Sequence, residues 1–125
     1  SNPGSRDLQD LDVGGEPLYM HVARLAASSW NTNRNVGLVV GATHPEALAQ
    51  VRAVCPELPF LVPGVGAQGG ELASAARAAA DRHGQRLLIS ASRSILYASD
   101  GEDIAEAARA EALRLRDAIN TALAS

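Results

Sequence analysis

The chain has 125 residues, 46% of them hydrophobic but only 3% aromatic, and a formal net charge of −3. That length suits one ordinary domain, and its core must be built from Val, Leu, Ile and Ala, the usual filling of buried parallel strands flanked by helices. Acids and bases are interspersed, which argues against nucleic acid as a partner, and no apolar run reaches the roughly 20 residues needed to cross a bilayer.

From the amino end, the first helical pattern is PLYMHVARLAASSWN at 17–31, with Leu18, Val22, Leu25 and Ala26 on one face and Trp30 expected to cover the helix end. The apolar run VGLVVG predicts a strand over 36–43. Thr43-x-x-Glu46 reads as a capping box with Pro45 in the first turn of a helix over 45–54. PFLVPG predicts a second strand over 59–65, followed by an Ala-rich helix over 71–83 with Gly84 as its C-cap. RLLISAS predicts the third strand, 86–92. The last helix, about 101–124, carries apolar residues at Ile104, Ala108, Ala112, Leu115, Ile119 and Ala122, with Ser99-x-x-Glu102 as a second capping box. The result is a single α/β segment over 1–125, α-β-α-β-α-β-α, with three parallel strands, four helices and function expected at the carboxyl ends of the strands.

A doubly wound open sheet and a (β/α)8 barrel both fit that order, and the stretch PGVGAQGG at 63–70 separates them. It contains a literal G-x-G-x-x-G at Gly64, Gly66 and Gly69. A dinucleotide fingerprint needs an acid about 20 residues downstream to bind ribose hydroxyls; here stand Ser90, Ala91, Ser92 and Arg93. Pro63 directly before the first glycine also lacks an amide hydrogen. The alternative is the phosphate grip that barrels make from the loops after their last two strands. Gly64, Gly66, Gly69 and Gly70 with Gln68 would supply one loop, and Ser92 with Arg93 the other.

Other residues have plainer readings. His21, His44 and His83 are scattered over helical or turn positions without metal-ligand spacing, and are read as surface or capping residues. The single Cys55 cannot form an internal disulfide, fits a reducing cytoplasm and is expected to be buried and inert. All eleven basic residues are arginine, so any step that needs an amine must take it from outside these residues.

PGVGAQGG at 63–70 followed by ASRSILYA at 91–98 resembles the last two strand-loop units of the orotidine 5'-phosphate decarboxylase family. NVGLVVGATHPE at 35–46 is similar to the family's sixth strand, and SNPGS at 1–5 to its fifth loop in one subfamily. The resemblance implies the carboxyl-terminal portion of a (β/α)8 barrel. It also implies decarboxylation of orotidine 5'-phosphate to uridine 5'-phosphate in a cytoplasmic homodimer, without metal or organic cofactor. Carried over by position, Ser1 bonds the pyrimidine, Pro63 and Val65 pack near the base, Gln68 contacts phosphate, and Arg93 grips it with the Ser92 amide. No catalytic residue is expected within this segment: the family's Asp-Lys-Asp-Lys array lies on earlier strands, so the amino-terminal half of the same enzyme is the implied partner. Without it, the inward residues Val39, Leu61 and Leu88 should stand open to water.

Overall fold

The computed structural model of the chain describes residues 3–66 and 71–124. A 3-10 turn at Pro3–Ser5 runs into the one-turn helix α1, Arg6–Gln9. Then follow α2 (Leu18–Ala27), β1 (Leu38–Val39), α3 (Pro45–Val54), β2 (Phe60–Pro63), α4 (Leu72–Ala79), β3 (Leu87–Ser90), α5 (Arg93–Leu96) and α6 (Ile104–Ala124). The strands form one parallel sheet in the order β1-β2-β3, with Leu38 opposite Phe60, and Phe60 opposite Leu87. The fold is therefore α/β with the three expected parallel strands, and two short helices join the four long ones. Amides of Val40 and Ala42 extend the β1 ladder beyond the strand, donating to Leu61 O and Pro63 O, both at 2.9 Å.

The two faces of the sheet differ sharply. Alternation along β2 sends Phe60 and Val62 beneath the helices, where both are fully buried. Met20, Ala23 and Ala26 of α2, Leu48 and Val51 of α3, and Ala75 and Ala79 of α4 close over them. Small alanines let α4 approach both α3 and α6 closely, which replaces the aromatic bulk the sequence lacks. On the other face Val39, Leu61 and Leu88 stand in register across the sheet, 69%, 41% and 62% exposed. This row gives the sheet a second, solvent-exposed apolar face.

Several helix boundaries depart from the sequence reading, each for a local reason. The helix expected over 17–31 stops at Ala27, because Ser28 Oγ donates back to Arg24 O at 2.6 Å and its amide closes a tight turn on Leu25 O. Trp30 consequently lies beyond the helix and is 57% exposed. The helix expected to run to residue 83 ends at Ala79, and Gly84 instead serves a turn, with φ of 70°. There the Asp81 carboxylate accepts the amides of His83 and Gln85, both at 2.8 Å, and captures the backbone that a helix would need. Neither capping box forms. His44, not Thr43, precedes α3 and no side chain caps it, although Pro45 does open the helix. Ser99 Oγ donates to Asp103 rather than pairing with Glu102, and the Asp103 carbonyl accepts the Ala107 amide, so α6 begins at Ile104.

Candidate functional site

The strands deliver their carboxyl ends to one side of the molecule. Ala42 N donates to Pro63 O at 2.9 Å and Pro63 is registered against Ser90, so the segments after all three strands are neighbours. Pro63 is half-buried at the end of β2. Gly64 and Gly66 follow with φ of 93° and 70°, a backbone region that side chains resist. A Cβ on Gly66 would meet nothing within 4 Å, so conformation and not crowding calls for glycine there. Between them Val65, only 5% exposed, belongs to the buried core and pins the loop from behind. Its side chain is thus a wall of the loop rather than an exposed surface.

The second loop leaves β3 at Ser90. Ser92 is exposed, and its carbonyl accepts the amides of Ile95 at 3.1 Å and Leu96 at 2.8 Å, forming α5. Arg93 opens that turn with an exposed side chain, and no acid among the described residues pairs with it. The structure therefore brings Pro63, Gly64, Gly66, Ser92 and Arg93 to one end of the sheet. Ser1, Gln68, Gly69 and Gly70 lie outside the described residues.

The opposite end of the strands holds a residue that the sequence reading passed over. Arg52, on α3, is 8% exposed and, among the described residues, has no carboxylate on its guanidinium. Instead its Nε donates to Ala79 O at 2.7 Å, Nη1 to Leu58 O at 2.7 Å, Cys55 O at 2.9 Å and, more loosely, Pro56 O at 3.4 Å, and Nη2 to Arg86 O at 3.0 Å. The guanidinium also lies 3.6 Å from the centroid of the Phe60 ring. Burial pushes its pKa down from the usual arginine value, and the nearby Asp81 charge opposes that shift. Asp81 is held below the usual carboxylate range, chiefly by the Gln85 amide, and it pairs with Arg86 Nε at 3.3 Å. Arg86 reaches on to Glu57, donating to its carbonyl at 2.8 Å and pairing with its carboxylate at 3.2 Å. Beside this network Cys55 is fully buried, its thiol donating to Ala23 O at 3.3 Å and pushed up in pKa by desolvation.

A groove of mixed polarity lies beside β1, lined by Arg6 and Leu8 of α1, Asp10, Val22 of α2, Val39 and Glu46 of α3. Among the described residues no helix is long and apolar enough to cross a membrane.

Comparison with known proteins agrees with this architecture. A sequence profile of the Orotidine 5'-phosphate decarboxylase / HUMPS family matches residues 1–108. An orotidine 5'-phosphate decarboxylase of Azoarcus sp. (strain BH72) is 59% identical over 120 residues, covering 96% of this chain and 44% of that relative. The structure of Leishmania donovani OMP decarboxylase superposes with a TM-score of 0.83 at 43% identity, over 100% of this chain and 45% of that one. Leishmania donovani UMP synthase gives a TM-score of 0.81 at 47% identity, over 95% of this chain and 26% of that one. The chain thus spans less than half the length of the curated relatives it matches. With the family profile matching residues 1–108 and a relative 59% identical over 96% of this chain, the chain belongs to the Orotidine 5'-phosphate decarboxylase / HUMPS family.

Proposed function

We propose that the chain forms the carboxyl-terminal portion of an orotidine 5'-phosphate decarboxylase, supplying the phosphate grip and part of the base pocket. The observation that carries this reading is Arg93: an exposed guanidinium without an acid partner among the described residues, at a strand tip next to the strand that leads into Gly64 and Gly66, both at positive φ. A phosphate dianion suits such a place, because guanidinium and backbone amides both offer donors to its oxygens. In this reading Gln68, Gly69, Gly70 and the Ser92 amide complete the cage, Pro63 and the Val65 backbone border the ring, and Ser1 bonds the pyrimidine.

The reaction breaks the bond between the ring carbon and its carboxylate, carbon dioxide leaves, and the electron pair stays on the ring carbon until a proton arrives. A lysine is the family's proton donor, and this chain has none. The phosphate grip works at a distance from that carbon: binding energy gathered there holds the ring in a desolvated site and favours the transition state. A second segment, carrying the earlier strands with the lysine and aspartates, would pair with the β1 edge and cover Val39, Leu61 and Leu88. The exposed row supports the view that these residues function only in an assembly, here a cytoplasmic homodimer; the single reduced thiol fits that compartment.

The absence of lysine favours one other reading, a non-catalytic half-barrel that binds a nucleotide or sugar phosphate. Carbon dioxide release from carboxyl-labelled orotidine 5'-phosphate distinguishes the two. The chain alone should release none, and the chain combined with an amino-terminal half from a close relative should release it. Activity of the isolated chain would put the chemistry in the wrong half, and inactivity of a well-formed complex that binds nucleotide would favour the module. In analytical ultracentrifugation the isolated chain should self-associate; a stable, monodisperse 13.0 kDa monomer would contradict the assembly argument.

A further inference from the structure

Arg52 touches the far ends of the elements that carry the glycine loop and the Ser92–Arg93 turn. Leu58 leads into β2, Arg86 leads into β3 and Ala79 closes α4, and one guanidinium donates to the carbonyl of each. The two strands have four residues each, so about 13 Å separates their bases from their tips. Helix α4, with eight residues, spans about 12 Å. The glycine loop is therefore slung between a strand and a helix whose opposite ends are tied to one planar group. The Ser92–Arg93 turn extends from a strand tied to that same group. Packed elements this short are stiff, and a shift at their bases is carried to their tips.

We propose that Arg52 is a positioning residue for the anion grip, setting the spacing between the glycine loop and Ser92–Arg93 without touching the ligand. The inference rests on the phosphate-binding reading above. Packing alone does not call for a cation here. Position 52 lies on the buried stripe of Leu48, Val51 and Cys55, and an apolar residue there would avoid the cost of desolvating a charge. What the guanidinium adds is a fixed planar fork whose donors reach carbonyls of separate segments at once, which neither lysine nor methionine can copy.

The test uses the complete barrel and compares calorimetric affinities for uridine 5'-phosphate and for uridine. Arg52→Met should weaken nucleotide binding about tenfold or more while leaving the nucleoside within about twofold. Arg52→Lys, which keeps the charge but not the fork, should be selective in the same direction. Arg93→Ala runs alongside. If it too fails to distinguish nucleotide from nucleoside, the phosphate reading itself falls, and this inference with it. If Arg93→Ala is selective but the Arg52 variants weaken both ligands equally, or neither, Arg52 is structural only and the proposal is overturned. Should Arg52→Met not fold, Arg52→Lys decides; failure of both to fold assigns Arg52 to stability alone and also overturns it.

Discussion

The two ends of this sheet are built on opposite terms. At the amino end, Arg52, Arg86, Asp81 and Glu57 answer one another and the backbone so fully that, among the described residues, no buried side-chain nitrogen or oxygen lacks a partner. At the carboxyl end, Arg93 has no acid partner among the described residues and two glycines hold backbone shapes that other residues resist. Under the proposed reading, satisfied groups stabilise and unsatisfied ones bind, the division barrel enzymes show between their bottom and top faces. The contrast teaches that the same residue type is placed differently by what surrounds it: Arg52 is fixed by carbonyls, and Arg93 has no acid partner among the described residues.

Substitutions at the two ends should therefore differ in their cost to stability: large at the base, where ligand spacing is also set, and small at the tip. The largest effect is expected at the base. Arg52→Ala removes the donor from several buried carbonyls and should destabilise by about 3 to 5 kcal/mol in urea titration of the assembled barrel. A loss below about 1 kcal/mol would mean that water replaces the guanidinium easily. At the tip, Arg93→Ala should leave the unfolding free energy from urea titration within about 0.5 kcal/mol of the parent. It should lower kcat/KM for orotidine 5'-phosphate by roughly 30-fold to 1000-fold, about 2 to 4 kcal/mol, while a substrate lacking phosphate is nearly unaffected. A stability loss matching the activity loss would erase the contrast.

Gly66→Ala tests the tip differently. Since a Cβ there meets open space, only the positive φ opposes it, and the cost should be about 1 kcal/mol of stability by thermal melting. An unchanged melting temperature would indicate that the loop has no fixed conformation to protect.

The smallest effect concerns acid. Asp81 has its pKa depressed below the ordinary 3.8, chiefly by the Gln85 amide, so its contribution is present above the unfolded value and is lost as pH falls through the folded one. Stability should therefore decline more steeply below about pH 4 in the parent than in Asp81→Asn, with the curves converging in acid. Parallel curves would show that Asp81 titrates alike in both states.

These expectations also mark how far the sequence could be read. Strands were legible because VGLVVG, PFLVPG and RLLISAS are short apolar runs spaced by helix-length segments, and the glycine loop with its Arg93 turn was legible as a motif in a fixed order. Helix ends were not. Serine at 28 and aspartate at 81 diverted backbone groups by side-chain hydrogen bonds that periodicity does not register. Arg52 was hidden by its charge, although its spacing from Leu48, Val51 and Cys55 follows the helical repeat and already placed it on the inward stripe. An arginine in phase with an apolar stripe was the available signal. Gln68 and Ser1 are different, since their roles rest on family resemblance alone.

The buried thiol makes this molecule its own stopwatch. Cys55 is the single cysteine, fully covered, bonded to the α2 carbonyl of Ala23 and further quieted by a raised pKa. A disulfide reagent can reach it only when the seam between α2 and α3 parts, so the labelling rate counts those openings directly. Labelling should be slow, should quicken when the Tyr19–Gln50 hydrogen bond across the same seam is removed by Tyr19→Phe, and should slow when the remaining barrel is added. Each molecule carries one such site, so a single mass increment reads how often the unassembled sheet comes apart.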